Sequence, residues 1–136
     1  MADKISQYAA ETACDRFDGD MTGAQAHSIR ERLGLTQEWL AEASGTSVDD
    51  IARWEHSNHT APYAVANALF EVFQRTRHAV ATLAADFASG AATGPVVTFR
   101  TDEAYRDATS GPYSAAWHRA TAGRIDNAAG CGVIYE

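Results

Sequence analysis

Three closely spaced helix-start signals constrain the first half of this chain more than any other feature. Thr22, Thr36 and Ser47 each precede a run of helix-forming residues. A Thr or Ser side chain at such a position accepts a hydrogen bond from a backbone N–H of the first helical turn. A glycine follows the first run and another follows the second, where glycine commonly ends a helix. The spacing therefore predicts three short helices joined by tight turns between residues 22 and 55.

The second and third of these helices carry residues suited to a close crossing. Ala41 is small where the two helices would touch, and Gly45 supplies the turn between them. Leu40, Ile51 and Trp54 fall on the apolar faces, where they would fix the angle between the helices. The pattern predicts a compact helical bundle with two helices crossing over a tight turn.

Pro62 opens the longest uninterrupted pattern in the chain. Proline is favoured at the first position of a helix, and neither glycine nor proline occurs again before Gly90. Apolar residues recur at helical spacing between them, which predicts one long helix. A helix of this length extends beyond the small bundle and needs another partner, either the C-terminal segment or a second subunit.

The two ends of the chain are predicted to be smaller appendages. Apolar residues spaced three and four apart predict an amphipathic helix that ends near Asp18, with a loosely docked extension as the alternative. The elements expected after Gly90 are a strand at 96–99, a helix through Ala108, a weaker helix over 114–128 interrupted by Gly123, and a closing strand at 131–135. The fold class is therefore mainly α, a helical bundle with a long fourth or fifth helix and a small α+β module at the C-terminus.

The charge of the chain argues against one class of function. Its 136 residues include 11 Lys and Arg but 18 Asp and Glu, which gives a net charge of -7. Indiscriminate coating of nucleic acid needs a net basic surface, so that class is excluded. Cys14 and Cys131 form no disulfide framework, and no membrane span or signal peptide is recognised, so we expect a cytoplasmic protein without membrane contact.

Catalytic and metal-binding motifs are not recognised in the sequence. Asp49 and Asp50, like Asp102 and Glu103, are paired carboxylates, but both pairs stand at helix starts, where acidic residues are common. His56 and His59 lie in one loop without Cys or carboxylate neighbours suited to a metal site. We therefore expect no enzymatic activity, no cofactor and no metal.

The segment Arg30–Glu55, in which Leu35-Thr36-Gln37 begins the second helix, resembles the Cro/repressor helix-turn-helix family. The order of the later elements, with Phe99, Tyr105 and Trp117, is similar to YdiL-like proteins and to anti-CRISPR-associated repressors of phages and mobile elements. The resemblance implies an extension at 1–20, a DNA-binding domain at 21–62, a connecting helix at 63–90 and a dimerisation module at 91–136. It also implies a homodimer that represses its own operon by binding an inverted repeat in double-stranded DNA.

The resemblance also assigns roles to individual residues. Thr36, Gln37 and Ser47 are expected to hold phosphates at helix starts, and His56 is a further candidate for a phosphate contact. Val48, Asp49, Ala52 and Arg53 are expected to face base edges in the major groove, with Arg53 on guanine, Asp49 on a cytosine amino group and Val48 on a thymine methyl.

The acidic residues of the third helix leave alternatives open. Asp49 and Asp50 would approach phosphates, which repel them, although the amino end of a helix attracts such carboxylates. The first alternative is a helix-turn-helix fold used to bind protein, as an antitoxin or as a phage protein that captures a host factor. RNA binding by the same dimer is the second.

Overall fold

The computed structural model describes residues 3–136 and is mainly helical, as predicted. In chain order its elements are α1 (Lys4–Glu11), α2 (Gly23–Leu33), α3 (Gln37–Ser44), α4 (Val48–Glu55), α5 (Tyr63–Ser89), β1 (Val96–Thr98), α6 (Asp102–Thr109), α7 (Ala115–Ala129) and β2 (Val133–Tyr135). No helix in this part of the chain is long and apolar enough to cross a membrane. The small α+β segment expected at the C-terminus is present.

The chain divides into two compact units. The first, which we call the bundle unit, comprises residues 14–74 and holds α2, α3, α4 and the first part of α5. The second, the terminal unit, joins the described residues before Cys14 to residues 75–136. Both ends of the described part of the chain therefore belong to the same unit.

Side-chain caps start the three short helices of the bundle unit, as predicted. Thr22 accepts from the backbone N–H of Gln25, Thr36 from that of Trp39, and Ser47 from that of Asp50, at 3.0–3.1 Å. Gly34 and Gly45 end α2 and α3 in the left-handed conformation, with φ of 73° and 70°. That conformation strains a residue with a Cβ, so glycine is favoured at these two turns.

Apolar side chains from all four helices fill the core of the bundle unit. Its buried members are Met21, Ala26, Leu40, Ala41, Ile51, Ala61, Val65, Ala66 and Leu69. Trp39 and Trp54 are half-buried and pack against this core, as their positions on the apolar faces predicted. Of the residues predicted to fix the crossing, Leu40 and Ile51 are buried and Trp54 is half-buried, and the small Ala41 is buried as well.

The N-terminal helix is shorter than predicted. It ends at Glu11, and Thr12 already has extended backbone angles, so the expected end near Asp18 is wrong. Phe17 instead joins the bundle unit: its ring lies 5.4 Å from that of Phe70, and its N–H donates to the side chain of Asn67 at 3.0 Å. This tertiary contact outweighs the helical spacing of the apolar residues.

The terminal unit contains a parallel two-stranded sheet packed on α7. Val96 pairs with Val133, and Thr98 with Tyr135. His118 of α7 is fully buried and lies 2.7 Å from the hydroxyl of Thr98 and 2.9 Å from the carboxylate of Asp3. A carboxylate only accepts, so Nε2 of His118 donates to Asp3, while Nδ1 shares a hydrogen bond with the hydroxyl of Thr98. This chain of hydrogen bonds ties the cap of α1 to α7 and β1.

Candidate nucleic-acid interface

The turn between α3 and α4 sets the direction of α4. The N–H of Gly45 donates to the carbonyls of Ala41 and Glu42, and the N–H of Thr46 donates to Ala41 at 2.9 Å. These bonds satisfy the last carbonyls of α3, and Ser47 then caps α4 two residues after Gly45. The two helices are thereby joined through one rigid tight turn.

The start of α2 is packed directly against the end of α4. A Cβ built on Gly23 would overlap the carbonyl oxygen of Trp54 and would lie 2.8 Å from that of Ser57. The N–H of Gly23 donates to His59, and that of Ala61 donates to Met21, which holds the two segments side by side. The absence of a side chain at residue 23 therefore allows the start of α2 to lie directly against the end of α4.

A buried ion pair joins all three short helices. The guanidinium of Arg30 on α2 donates to both carboxylate oxygens of Glu55 on α4, at 2.6 and 3.1 Å, and to the carbonyl of Leu35 at 2.8 Å. Gln37 at the start of α3 donates to the same carboxylate at 2.7 Å. The side chain of Glu55 is only 2% exposed. We call these three residues, Arg30, Gln37 and Glu55, the polar cluster.

The electrostatics of the polar cluster favour an ionised carboxylate. Burial by itself raises the pKa of Glu55, but the hydrogen bonds from Arg30 and Gln37 and the positive charge of Arg30 outweigh it. The pKa of Glu55 therefore lies below its ordinary value, and the pair is charged at neutral pH. Three N–H groups of Arg30 are bonded within the protein and its side chain is only 11% exposed, so it is a poor candidate for phosphate binding.

The residues predicted to hold phosphates lie in different environments. Thr36 and Ser47 are exposed, and each uses its hydroxyl to cap its own helix. Gln37 is half-buried because one amide N–H binds Glu55. His56 is exposed just after α4, with its ring centroid 6.0 Å from that of His27.

The residues predicted to face base edges share one helix but differ in exposure. Arg53 has 69% of its side chain exposed and forms an ion pair with Asp50 at 2.8 Å. Asp49 is exposed, whereas Ala52 is half-buried. Val48 is half-buried and packs against the core, so only part of its side chain is accessible. Arg53 and Asp49 are thus the most accessible of the four.

Comparison with known proteins identifies this region. Residues 23–83 match the family model described as a helix-turn-helix domain. The chain contains a helix-turn-helix domain. Its two central helices are α3 and α4, and the match continues through most of α5. None of the curated proteins matches the chain.

Negative charge is concentrated in the bundle unit, which holds most of the helix-turn-helix domain. Residues 14–74 contain ten Asp and Glu but four Arg and no Lys, so this unit holds six of the seven excess negative charges. The exposed acidic residues of α3 and α4 include Glu38, Glu42 and Asp49. The composition of the domain thus favours local contacts over a broad electrostatic attraction to phosphates.

Sequence reasoning missed the polar cluster, although its signal was present. Arg30 falls on the inward side of α2, between Ala26 and Leu33, both of which are buried. Glu55 follows Ile51 by one helical turn, so it also faces inward. Both residues thus lie on the apolar faces of their helices, one basic and one acidic. This pattern indicates a buried ion pair.

Proposed function

We propose that this chain is a dimeric, sequence-specific DNA-binding transcriptional repressor. The observation that carries the proposal is the helix-turn-helix domain, whose second helix enters the major groove in DNA-binding proteins of this type. In this chain that helix is α4. The resemblance to Cro/repressor proteins, and to the phage-type YdiL-like and anti-CRISPR-associated repressors, supports repression of the chain's own promoter.

Arg53 is the residue of α4 best suited to read a base. Its side chain extends into solvent, and the ion pair with Asp50 is an exposed one, which contributes about 0–1 kcal/mol. A bidentate contact with guanine contributes about 1–3 kcal/mol, so exchange of Asp50 for guanine is favourable. Asp49, one turn earlier, is an acceptor for a cytosine amino group.

Phosphate contacts would come from the starts of α3 and α4. Thr36 and Ser47 cap their helices through the hydroxyl oxygen, which leaves each O–H able to donate to a phosphate. Gln37 has a second amide N–H besides the one that binds Glu55. His56 lies beyond the end of α4, where a ring N–H would add a further donor.

A dimer explains how so few contacts would give specificity. Two copies related by a two-fold axis read two half-sites about 34 Å apart on one face of the duplex, which corresponds to an inverted repeat. Binding there would occlude the promoter and repress the operon. We assign dimerisation to residues 91–136, which the long α5 connects to the helix-turn-helix domain.

Replacing Arg53 with alanine is expected to lower the affinity for the selected inverted repeat at least tenfold, because one guanine contact per subunit is lost. Arg32→Ala is the matched control: it removes the same charge from an exposed residue of the same unit, but from α2. We expect Arg32→Ala to change the affinity less than about threefold. Binding is measured by fluorescence anisotropy at one fixed salt concentration.

Equal losses for the two variants would mean that Arg53 contributes only its charge and does not read a base. Selection of bound sequences from a random duplex library provides the target, and an enriched palindrome is the expected product. A library that yields no enriched sequence would contradict the proposed function itself.

Capture of a protein partner is the second candidate function, and the negative charge of the bundle unit favours it. Six excess negative charges on residues 14–74, with Glu38, Glu42 and Asp49 exposed, would attract a basic surface. An antitoxin, or a phage protein that captures a host factor, would use the surface in this way.

The substitution Asp49→Asn separates the two functions by the sign of its effect. It removes a charge that phosphates repel and keeps an acceptor for a base, so DNA affinity is expected to rise about two- to fivefold at low salt and to return toward that of the parent at high salt. A basic protein partner would instead be bound more weakly. Anisotropy titrations at two salt concentrations measure the effect on DNA binding. An unchanged DNA affinity together with weaker binding of a basic protein would favour protein capture.

A further inference from the structure

The small sheet of the terminal unit exposes an unusual amount of apolar surface. In the described part of the chain, four of the five exposed large apolar residues lie on it: Val97 on β1, and Val133, Ile134 and Tyr135 on β2, with exposed fractions of 36–51%. A two-stranded sheet is marginally stable alone, and parallel strands are normally covered on both faces. The sheet packs on α7 through one face, and its remaining apolar surface lacks a covering partner.

The outer edge of β2 is available for pairing. Val96 donates to the carbonyl of Gly132, and Glu136 donates to that of Thr98, so residues 132, 134 and 136 face β1. Because peptide groups alternate along a strand, the N–H and C=O of Val133 and Tyr135 face away from β1. No residue among 3–136 is seen to pair with this edge. Such an edge, without a charged residue or a proline, is a template for another strand.

The edge is complementary to itself. We propose that β2 pairs antiparallel with β2 of a second copy, about a two-fold axis through Ile134. Val133 of each copy then stands opposite Tyr135 of the other, and each of these two pairs exchanges two backbone hydrogen bonds. The result is a continuous four-stranded sheet with β2 at its centre, and Ile134 faces its own counterpart across the axis.

The charge distribution favours a second copy as the occupant of this edge. The terminal unit carries a net charge of -1, whereas the bundle unit carries -6. Two copies would therefore repel each other least if they met through their terminal units. Strand β2 itself is uncharged. The choice of occupant also rests on the proposed function, since an inverted repeat requires a two-fold dimer.

A cavity beside β2 offers room for a side chain of the second copy. It measures about 210 Å³ and is lined by Thr98, Arg119, Val133, Ile134 and Tyr135. Tyr135 of the second copy stands opposite Val133, at the wall of this cavity. Its ring would bury apolar surface there, with its hydroxyl near Arg119. An aromatic residue with a polar end suits such a partly polar interface.

Disulfide trapping tests the register of this pairing. In a Cys14→Ala, Cys131→Ala background, Ile134→Cys places two thiols opposite each other at a non-hydrogen-bonded pair, with Cα atoms about 4.5 Å apart, within the range of a disulfide. Under mild oxidation with oxidised glutathione, we expect at least tenfold more covalent dimer than for Val97→Cys. That control is matched because Val97 pairs with Ile134, faces the same side and is 42% exposed. Equal cross-linking of the two variants would overturn the proposal.

Light scattering of Ile134→Lys provides a second measurement that does not depend on cysteine chemistry. Two like charges would meet at the axis, so the parent is expected to be a dimer and the variant a monomer, with unchanged helical circular dichroism. The monomer should still bind a single half-site. A parent that is monomeric, or a variant that stays dimeric, would overturn the interface. Failure of a cross-linked dimer to bind any duplex would contradict the proposed function and leave the interface standing.

Discussion

Substitution of Gly23 by alanine is expected to destabilise the bundle unit strongly. The added Cβ would overlap the carbonyl oxygen of Trp54 and lie 2.7 Å from its carbonyl carbon. Both atoms belong to the backbone at the end of α4, so no flexible side chain can move away. The two segments must separate, which also breaks the hydrogen bond from Gly23 to His59. We expect the free energy of unfolding to fall by at least about 3 kcal/mol, the upper end of the range found for overpacked cores.

Thermal unfolding followed by circular dichroism measures this effect, with Gly45→Ala as the graded control. A Cβ at residue 45 meets no atom within 4 Å, but its φ of 70° strains an alanine by about 1–2 kcal/mol. Gly23→Ala should therefore destabilise the protein more than Gly45→Ala. The reverse order would show that α2 and α4 are not in direct backbone contact.

The helices of this protein could be predicted from sequence because their limits depend on local chemistry. Thr22, Thr36 and Ser47 each satisfy an N–H within three residues, and glycine ends two of these helices through its own backbone freedom. The long α5 follows from the absence of glycine and proline between Pro62 and Gly90. None of these signals needs knowledge of the tertiary structure.

The predictions failed, or stayed incomplete, where distant residues decide the outcome. Phe17 continues the helical spacing of the N-terminal segment, yet its contact with Phe70, 53 positions later, takes it out of a helix. Gln37 was predicted as a phosphate ligand from its place at the start of α3, and its bond to Glu55 could not be read from that place. A local pattern shows which face of a helix turns inward, but it does not specify which side chains of the other helices meet that face.

The polar cluster carries the second large effect. Glu55→Gln is expected to destabilise the bundle unit by about 3–5 kcal/mol, because it leaves the guanidinium of Arg30 buried without a counter-charge. The amide has nearly the same shape as the carboxylate, so packing is preserved. Since Glu55 joins α4 to both α2 and α3, the loss should also misalign α4 and reduce DNA binding.

The same cluster predicts how stability depends on pH. The pKa of Glu55 lies below its ordinary value of 4.5 in the folded protein. A group of this kind stabilises the fold at pH values above the pKa of the unfolded chain, and its contribution is lost as the pH falls through the folded value. The parent should therefore lose stability more steeply than Glu55→Gln below about pH 4.5.

The double variant Arg30→Met, Glu55→Met distinguishes a paired charge from simple packing. Replacement of a whole buried ion pair by apolar residues is often neutral, whereas removal of one partner is costly. We therefore expect the double variant to be more stable than Glu55→Gln in urea unfolding, and to have lost the acid dependence that Glu55 contributes. A double variant as unstable as the single one would mean that the hydrogen bonds to Leu35 and Gln37, and not the ion pair, hold α4 in place.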